Sequence, residues 1–294
     1  VQEILNAATL GSVYLLFALG MALAWGTIGI LNFAHGATFV FSVLVAHIIT
    51  RDSALPLPVI LIVAVAVGAA LSVLTQWLVF AQIVKRSTSH RSTELRIIIA
   101  GIGVSAIPLA VAQRVSGASP FGFDTTYQPA TFDVAGLHFT STVIIILIAA
   151  LLIGTGLTVW LKRSRQGLAL RAIGVDAETS EGMGVNRGAL AIGTMAVAGA
   201  LAGLAGALLT LHLGAIAPES GDPLLIKAFA VIVLGGLGSM GGAVLGAYIL
   251  AASETLVIHL GFGTWVDAVS FGLIFLVLLL RPQGMFGIKE VRRT

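Results

Sequence analysis

Apolar runs close to the thickness of a bilayer recur along this chain, and nothing else in the sequence constrains its fold as tightly. The stretches 7–31, 33–50, 57–84, 97–115, 141–161, 189–212, 240–258 and 265–280 reach or approach spanning length. About 20 apolar residues in a helix cross the roughly 30 Å hydrocarbon core. A shorter run, 224–234, stops at a glycine cluster. Of the 294 residues 57% are hydrophobic, and the mean hydropathy of +1.04 lies far above that of soluble domains. A transmembrane barrel needs short alternating strands, and the sequence reads as having none. The expectation is an all-α polytopic membrane protein, a single transmembrane domain over 1–294 with about eight or nine transmembrane or re-entrant helices. The first run has no basic leader and reads as a retained span.

Charge placement orients these runs. Of the 16 Lys and Arg, four fall in 85–96, five in 162–188 and four in 281–294. By contrast 116–140 carries Asp124 and Asp133 with no Lys or Arg, and 213–222 carries only Glu219 and Asp222. Basic segments stay cytoplasmic, so 97–115 runs outward, 141–161 inward and 189–212 outward. The net charge of +3 is topological, and nucleic-acid binding is set aside. Between 222 and the tail at 281 the chain crosses an odd number of times. Either 224–234 and 240–258 both cross, or they form a re-entrant unit. The side of the N-terminus stays open with that choice.

Two breaks interrupt apolar sequence in comparable places, "LNFAHG" at 31–36 and "GGLGSMGG" at 235–242. Such breaks mark discontinuous helices whose freed backbone lines a cavity, or else ordinary tight turns. In "GALAGLAGALL" (199–209), Gly199, Gly203 and Gly206 lie near one helix face and suit close packing. Lys227 lies near the outer end of its segment, where it can snorkel to the interface. Glu254 is the intramembrane acid to single out, placed beside a path or subunit interface, or else close to the exterior surface.

Enzyme signatures fail in turn. Gly236, Gly238 and Gly241 satisfy G-x-G-x-x-G, but among apolar spans rather than between a strand and a helix. Ser239 has leucine two residues before it, so the serine elbow is missing. The six histidines are scattered, no cysteine is present, and none of the four lysines is followed by Ser or Thr as in a P-loop. An intramembrane hydrolase or acyltransferase built on Ser239 or His35 lacks an acid–base pair. An ion-coupled transporter would use Glu254 and Asp267.

A charged island stands in the middle of this apolar chain, "KRSRQG" at 162–167 followed by "RAIGVDAETSEGMGVN" at 171–186. Asp176 is a good N-cap, Ala177 to Met183 a short helix, and Gly184 its left-handed stop with Val185 as the hydrophobic contact. On spacing alone, a groove-filling plug and a solvated connector are both open.

The segment resembles the cytoplasmic coupling loop of ABC-importer permeases of the branched-chain amino-acid family. "GSVYLLFALGMALAWGTIGILNFAHG" (11–36), "PLLIKAFAVIVLGGLGSMGGAVLGAYILAASE" (223–254) and "RPQGMFG" (281–287) resemble that family in order and spacing. The likeness is to the shorter of its two paired permeases. The stretch after His35 lacks the acidic residue that many relatives carry there.

The resemblance implies the ABC-importer permease fold in a bacterial inner membrane, without an ATPase site of its own. It implies a second homologous permease, two cytoplasmic ATPases and an external solute-binding protein as partners. No cofactor is expected in this chain, since ATP and magnesium would sit on the ATPases. Branched-chain amino acids are the implied solutes, with urea, short amides or another small neutral solute as the alternative. Arg171, Asp176, Glu178, Glu181, Met183, Gly184 and Val185 would couple to an ATPase. Asn32, His35, Gly36, Gly236, Gly238 and Glu254 would line the solute path.

Overall fold

The computed structural model describes residues 2–29, 31–87, 90–134, 137–236, 238–281 and 284–286. Every long apolar run becomes helix. In chain order these are α1 (Gln2–Ile28), α2 (His35–Thr50), α3 (Leu57–Thr75), α4 (Ala81–Arg86), α5 (His90–Ser116) and α6 (Ser141–Arg163). After α7 (Arg165–Val175) and α8 (Ala177–Gly182), on the side that the basic residues assign to the cytoplasm, come α9 (Arg187–Leu213), α10 (Gly221–Gly235), α11 (Met240–His259) and α12 (Val266–Leu280). A π-helical turn, Gln76–Phe80, joins α3 to α4 as one rod. Among the described residues, seven helices are long and apolar enough to cross a membrane. The protein is a multi-pass membrane protein.

The outer segment holds a short antiparallel hairpin, β1 (Thr131–Val134) with β2 (Leu137–Thr140), pairing Phe132 with Phe139. This hairpin was not anticipated from the sequence. It fixes the direction of α1. Gln2 donates from Nε2 to the His138 carbonyl and accepts the His138 N–H at 3.1 Å. The N-terminal end of α1 therefore stands on the outer side, and α1 runs inward.

The open choice over 224–258 is resolved as a hairpin. The N–H groups of Met285 and Phe286 donate to the carbonyls of Leu234 and Gly235. The turn between α10 and α11 thus lies beside the cytoplasmic tail. The two helices pack antiparallel, because a Cβ on Gly246 would overlap the Val231 carbonyl and one on Gly242 would overlap Gly235. Hence α10 leads inward, α11 outward and α12 inward.

Two helices are too short to span. α2 has 16 residues and α10 has 15, about 24 and 22 Å at 1.5 Å per residue. Both begin inside the membrane. His35 Nε2 donates to the Phe17 carbonyl (3.1 Å) half-way along α1, and the two rings lie 4.4 Å apart. Gly101, near the middle of α5, packs on the backbone of Phe33. A Cβ on Gly36 would overlap the Gly221 carbonyl, and one on Gly221 would overlap that of Gly36. The N-terminal ends of α2 and α10 therefore touch at mid-depth. From there α2 leads out, to where His47 bonds the Gly122 carbonyl, and α10 leads in.

The two sequence breaks are not comparably placed after all. The first lies at mid-depth, while 235–242 lies at the cytoplasmic end, where Gly238 packs on Gly26 at the inner end of α1. Their similar composition hides different jobs, one starting a half-helix and one turning a hairpin.

The most extensive helix contact is between α3 and α9. It rests on the glycine face read from the sequence: Gly199 meets Gly68, and Gly203 meets Ala64, backbone to backbone. Gly206 meets α2 at Phe39 and Val43 instead.

Candidate translocation site and coupling helix

The six residues expected to line the path fall in three places. Asn32, His35 and Gly36 stay together at the mid-depth break. Asn32 is buried, and its Oδ1 accepts the Ala34 N–H at 3.0 Å, which shapes the chain into the start of α2. Its Nδ2 has no hydrogen-bond partner among the described residues. Beside this break lies a cavity of about 300 Å³ lined by Met21, Asn32, Phe33, Leu225, Phe229 and Phe271 among others. Apart from Asn32 its walls are apolar.

Gly236 and Gly238 lie apart from this cavity, at the cytoplasmic hairpin. Both have left-handed backbone, φ +99° and +79°, a region glycine enters without strain. Ser239 next to them caps α11, its Oγ accepting the Gly242 N–H at 3.1 Å.

Glu254 is 1% exposed and forms the centre of a polar cluster. Its Oε2 accepts from Tyr14 Oη at 2.7 Å and pairs with Lys227 Nζ at 3.0 Å. Its Oε1 accepts from Ser270 Oγ at 2.6 Å. Lys227 Nζ also donates to Tyr14 Oη at 3.1 Å. The reading of Lys227 as a snorkelling residue is corrected by this geometry: the ammonium turns inward to a buried carboxylate. A charge in a membrane is retained where a partner neutralises it, and Glu254 offers that partner. The cluster ties α1, α10, α11 and α12 together.

The charged island folds as its spacing predicts. Asp176 Oδ1 accepts the Thr179 N–H at 3.0 Å, and Glu178 adds an acid to the first turn, where the helix dipole favours it. Helix α8 ends one residue earlier than expected, at Gly182, with Met183 as its C-cap. Gly184 takes φ +88°; its N–H reaches the Glu181 carbonyl, and that of Val185 reaches Ser180. These are the two closing bonds of a left-handed helix stop. Met183 is left 82% exposed, with Val175 as open on the other side of α8. Arg171 sits apart in α7, donating to the carbonyls of Lys162 and Gly167. Glu181 lies 3.9 Å from Arg187 at the base of α9.

A family model described as "Branched-chain amino acid transport system / permease component" matches residues 3–278. The chain belongs to that permease family. Within the family it is similar to the high-affinity branched-chain amino acid transport system permease protein BraD of Pseudomonas aeruginosa, 33% identical over all of this chain and 97% of the relative. The corresponding protein LivH of Escherichia coli is 31% identical over the same shares. A probable branched-chain amino acid transport permease protein LivH of Methanocaldococcus jannaschii is 30% identical over 98% of this chain and 93% of its own. No solved structure gives a significant match.

For this branched-chain permease family member, the sequence singled out Glu254 as an acid inside the membrane, and the structure buries it; the partners Tyr14 and Ser270 were missed. Nothing local marks them: Tyr14 lies 240 positions from the acid it serves. Of the terminal motif at 281–287, Pro282, Gln283 and Gly287 lie outside the described residues, while Met285 and Phe286 hold the hairpin.

Proposed function

We propose that this chain is a permease subunit of a bacterial ABC importer that carries leucine, isoleucine and valine across the cytoplasmic (inner) membrane. The observation that carries the reading is the end-to-end likeness to relatives named as high-affinity branched-chain amino acid permeases. The chain pairs with a second permease and does no covalent chemistry; two separate ATPases bind ATP and magnesium, and an external binding protein delivers the solute. Asn32, His35 and Gly36 line the solute path, Glu254 steadies the helices around it, and Gly236 and Gly238 form an inner hinge. Among the described residues the cavity walls carry no basic cluster for phosphate and no acidic ring for polyamines, which supports a net-neutral solute. Vesicles carrying the assembled importer should accumulate leucine, isoleucine or valine in preference to lysine, glutamate or phosphate. Efficient uptake of a strongly charged solute, after exchange of the binding protein alone, would overturn the neutral-path reading.

Helix α8 docks into an ATPase through Met183. Its exposed thioether stem beside a rigid stop supports this role, since large apolar groups left open on a polar segment mark contact sites. Met183→Glu should reduce co-purification of the ATPases and their stimulation by binding protein, because a carboxylate buried without a partner is costly. An intact complex with full stimulation would exclude docking through Met183.

The outer segment 116–140 receives the binding protein. Asp124 and Asp133 supply its charge, although Asp133 already pairs with His138. Reversing both charges should slow uptake at limiting binding protein and leave the ATPases bound. Unchanged uptake would assign the segment to the membrane interface alone.

A further inference from the structure

We infer that a cavity between the α3–α4 rod, α5 and the base of α9 binds a free amino acid from the cytoplasm and slows import as that solute accumulates. The inference rests on the proposed amino-acid importer and adds a regulatory site apart from the solute path.

The cavity holds about 350 Å³ and is lined by Gln76, Lys85, Glu94, Glu181 and Arg187 among others. It lies where α1 ends and beside α8, on the side that the basic residues assign to the cytoplasm. It shares no lining residue with the apolar cavity beside Asn32.

The charges of its wall select the ligand. Two acids and two bases balance, so a ligand carrying both signs matches the wall better than a lone anion or cation. The protein does not close all of these charges on one another. Glu181 and Arg187 stand 3.9 Å apart, beyond hydrogen-bond reach. Lys85 is exposed and makes no ion pair among the described residues. Gln76, 4% exposed, is the most buried polar group of the wall, and its Oε1 has no hydrogen-bond partner among the described residues. The terminal torsion of a glutamine is soft, so the amide can turn to offer that acceptor to an ammonium. Val84, Ile97 and Ala191 supply apolar wall. An ammonium and a carboxylate on one carbon, with a short aliphatic chain, use all of these surfaces. The volume lies at the lower end of small-molecule pockets, as a solute of that size requires.

The position of the cavity gives binding a consequence. Lys85 stands on α4 and Glu94 on α5, whereas Glu181 belongs to α8 and Arg187 to the first turn of α9. A solute held across these walls favours the conformation that sets them at this spacing. An importer has to leave every conformation it visits, so holding one of them slows turnover.

In vesicles with ATP enclosed and binding protein outside, leucine in the lumen should slow initial uptake of labelled leucine severalfold. Lys85→Glu should leave uptake into leucine-free vesicles unchanged, because the side chain is exposed, and should remove most of the inhibition. Equal inhibition of the variant and wild type would place the effect in the solute path and overturn the inference. Absence of inhibition in wild type would overturn it as well.

A second measurement reads binding directly. The chain has no cysteine, so Ala81→Cys gives this subunit a single thiol at the cavity wall. In the purified complex, leucine should slow modification of that thiol by a maleimide. Leucinol keeps only the ammonium and 4-methylpentanoate only the carboxylate. Each should need a concentration about tenfold higher, having lost one charged partner. Equal protection by either, or none by leucine, would overturn the site. Uptake into leucine-free vesicles reads the importer assignment separately, and its failure would leave the protection result standing.

Discussion

Lys227→Met is expected to cost the permease most of its stability and all of its uptake. The substitution leaves the Glu254 carboxylate in place, 1% exposed, with only Tyr14 and Ser270 to meet it. Removing one partner of a buried ion pair costs about 3–5 kcal/mol, because the remaining charge has no water to return to. Glu254→Gln should be milder. The amide can still bond Ser270 and Tyr14, and the Lys227 ammonium lies 4.0 Å from the exposed Asp267 carboxylate. The double variant Lys227→Met, Glu254→Gln should recover much of the loss, since it leaves no unpaired charge. Thermal unfolding of the purified permease, run as a double-mutant cycle, reads this non-additivity. A Lys227→Met variant within about 0.5 kcal/mol of wild type would reduce the cluster to a surface pair. Uptake then separates two roles. If the double variant is stable and transports, the cluster only holds helices together; if it is stable and silent, the charges act in transport.

The same cluster shows where the sequence stops being legible. Lys227 near a segment end looks like a snorkelling residue when its helix is considered alone. Only the fold brings Glu254, from a helix that returns alongside, within 3.0 Å. Local signals fared better. The cap at Asp176 and the stop at Gly184 depend on a few neighbouring residues, and α8 formed where they place it, shorter by one residue. Helix existence was legible throughout because bilayer-length apolar runs leave the chain no other fold. Depth was not. The polar stretch before α10 reads as exterior, and it does connect to the outer side. Yet Gly221 dips to the level of Gly36, a contact between residues 185 apart that no periodicity announces. The hairpin at 131–140 escaped because two strands of four residues carry too weak a pattern beside the helical runs.

Gly203→Ala should be among the most damaging single methyl groups that can be added to this protein. Helices inside a bilayer gain little from the hydrophobic effect on meeting each other, so close packing has to hold them. In α9 that packing is backbone against backbone. A Cβ on Gly203 would overlap the Ala64 carbonyl and stand 3.1 Å from Ser42 Oγ, and one on Gly199 would strike Gly68 and Ser72. A flexible side chain could rotate away from such a methyl, but a helix carbonyl cannot. The rods α3 and α9 would have to separate along their most extensive contact. Gly193 supplies the control ten residues earlier in the same helix, with open space where its Cβ would be. Alanine there should be neutral or stabilising by up to about 1 kcal/mol, the difference in helix propensity. Overpacking at Gly203 should cost about 1–3 kcal/mol against that gain. Unfolding temperatures of the two purified variants should therefore move in opposite directions from wild type. If Gly203→Ala melts with Gly193→Ala, the α3–α9 contact is looser than the fold requires, and the glycine face of α9 serves something other than packing.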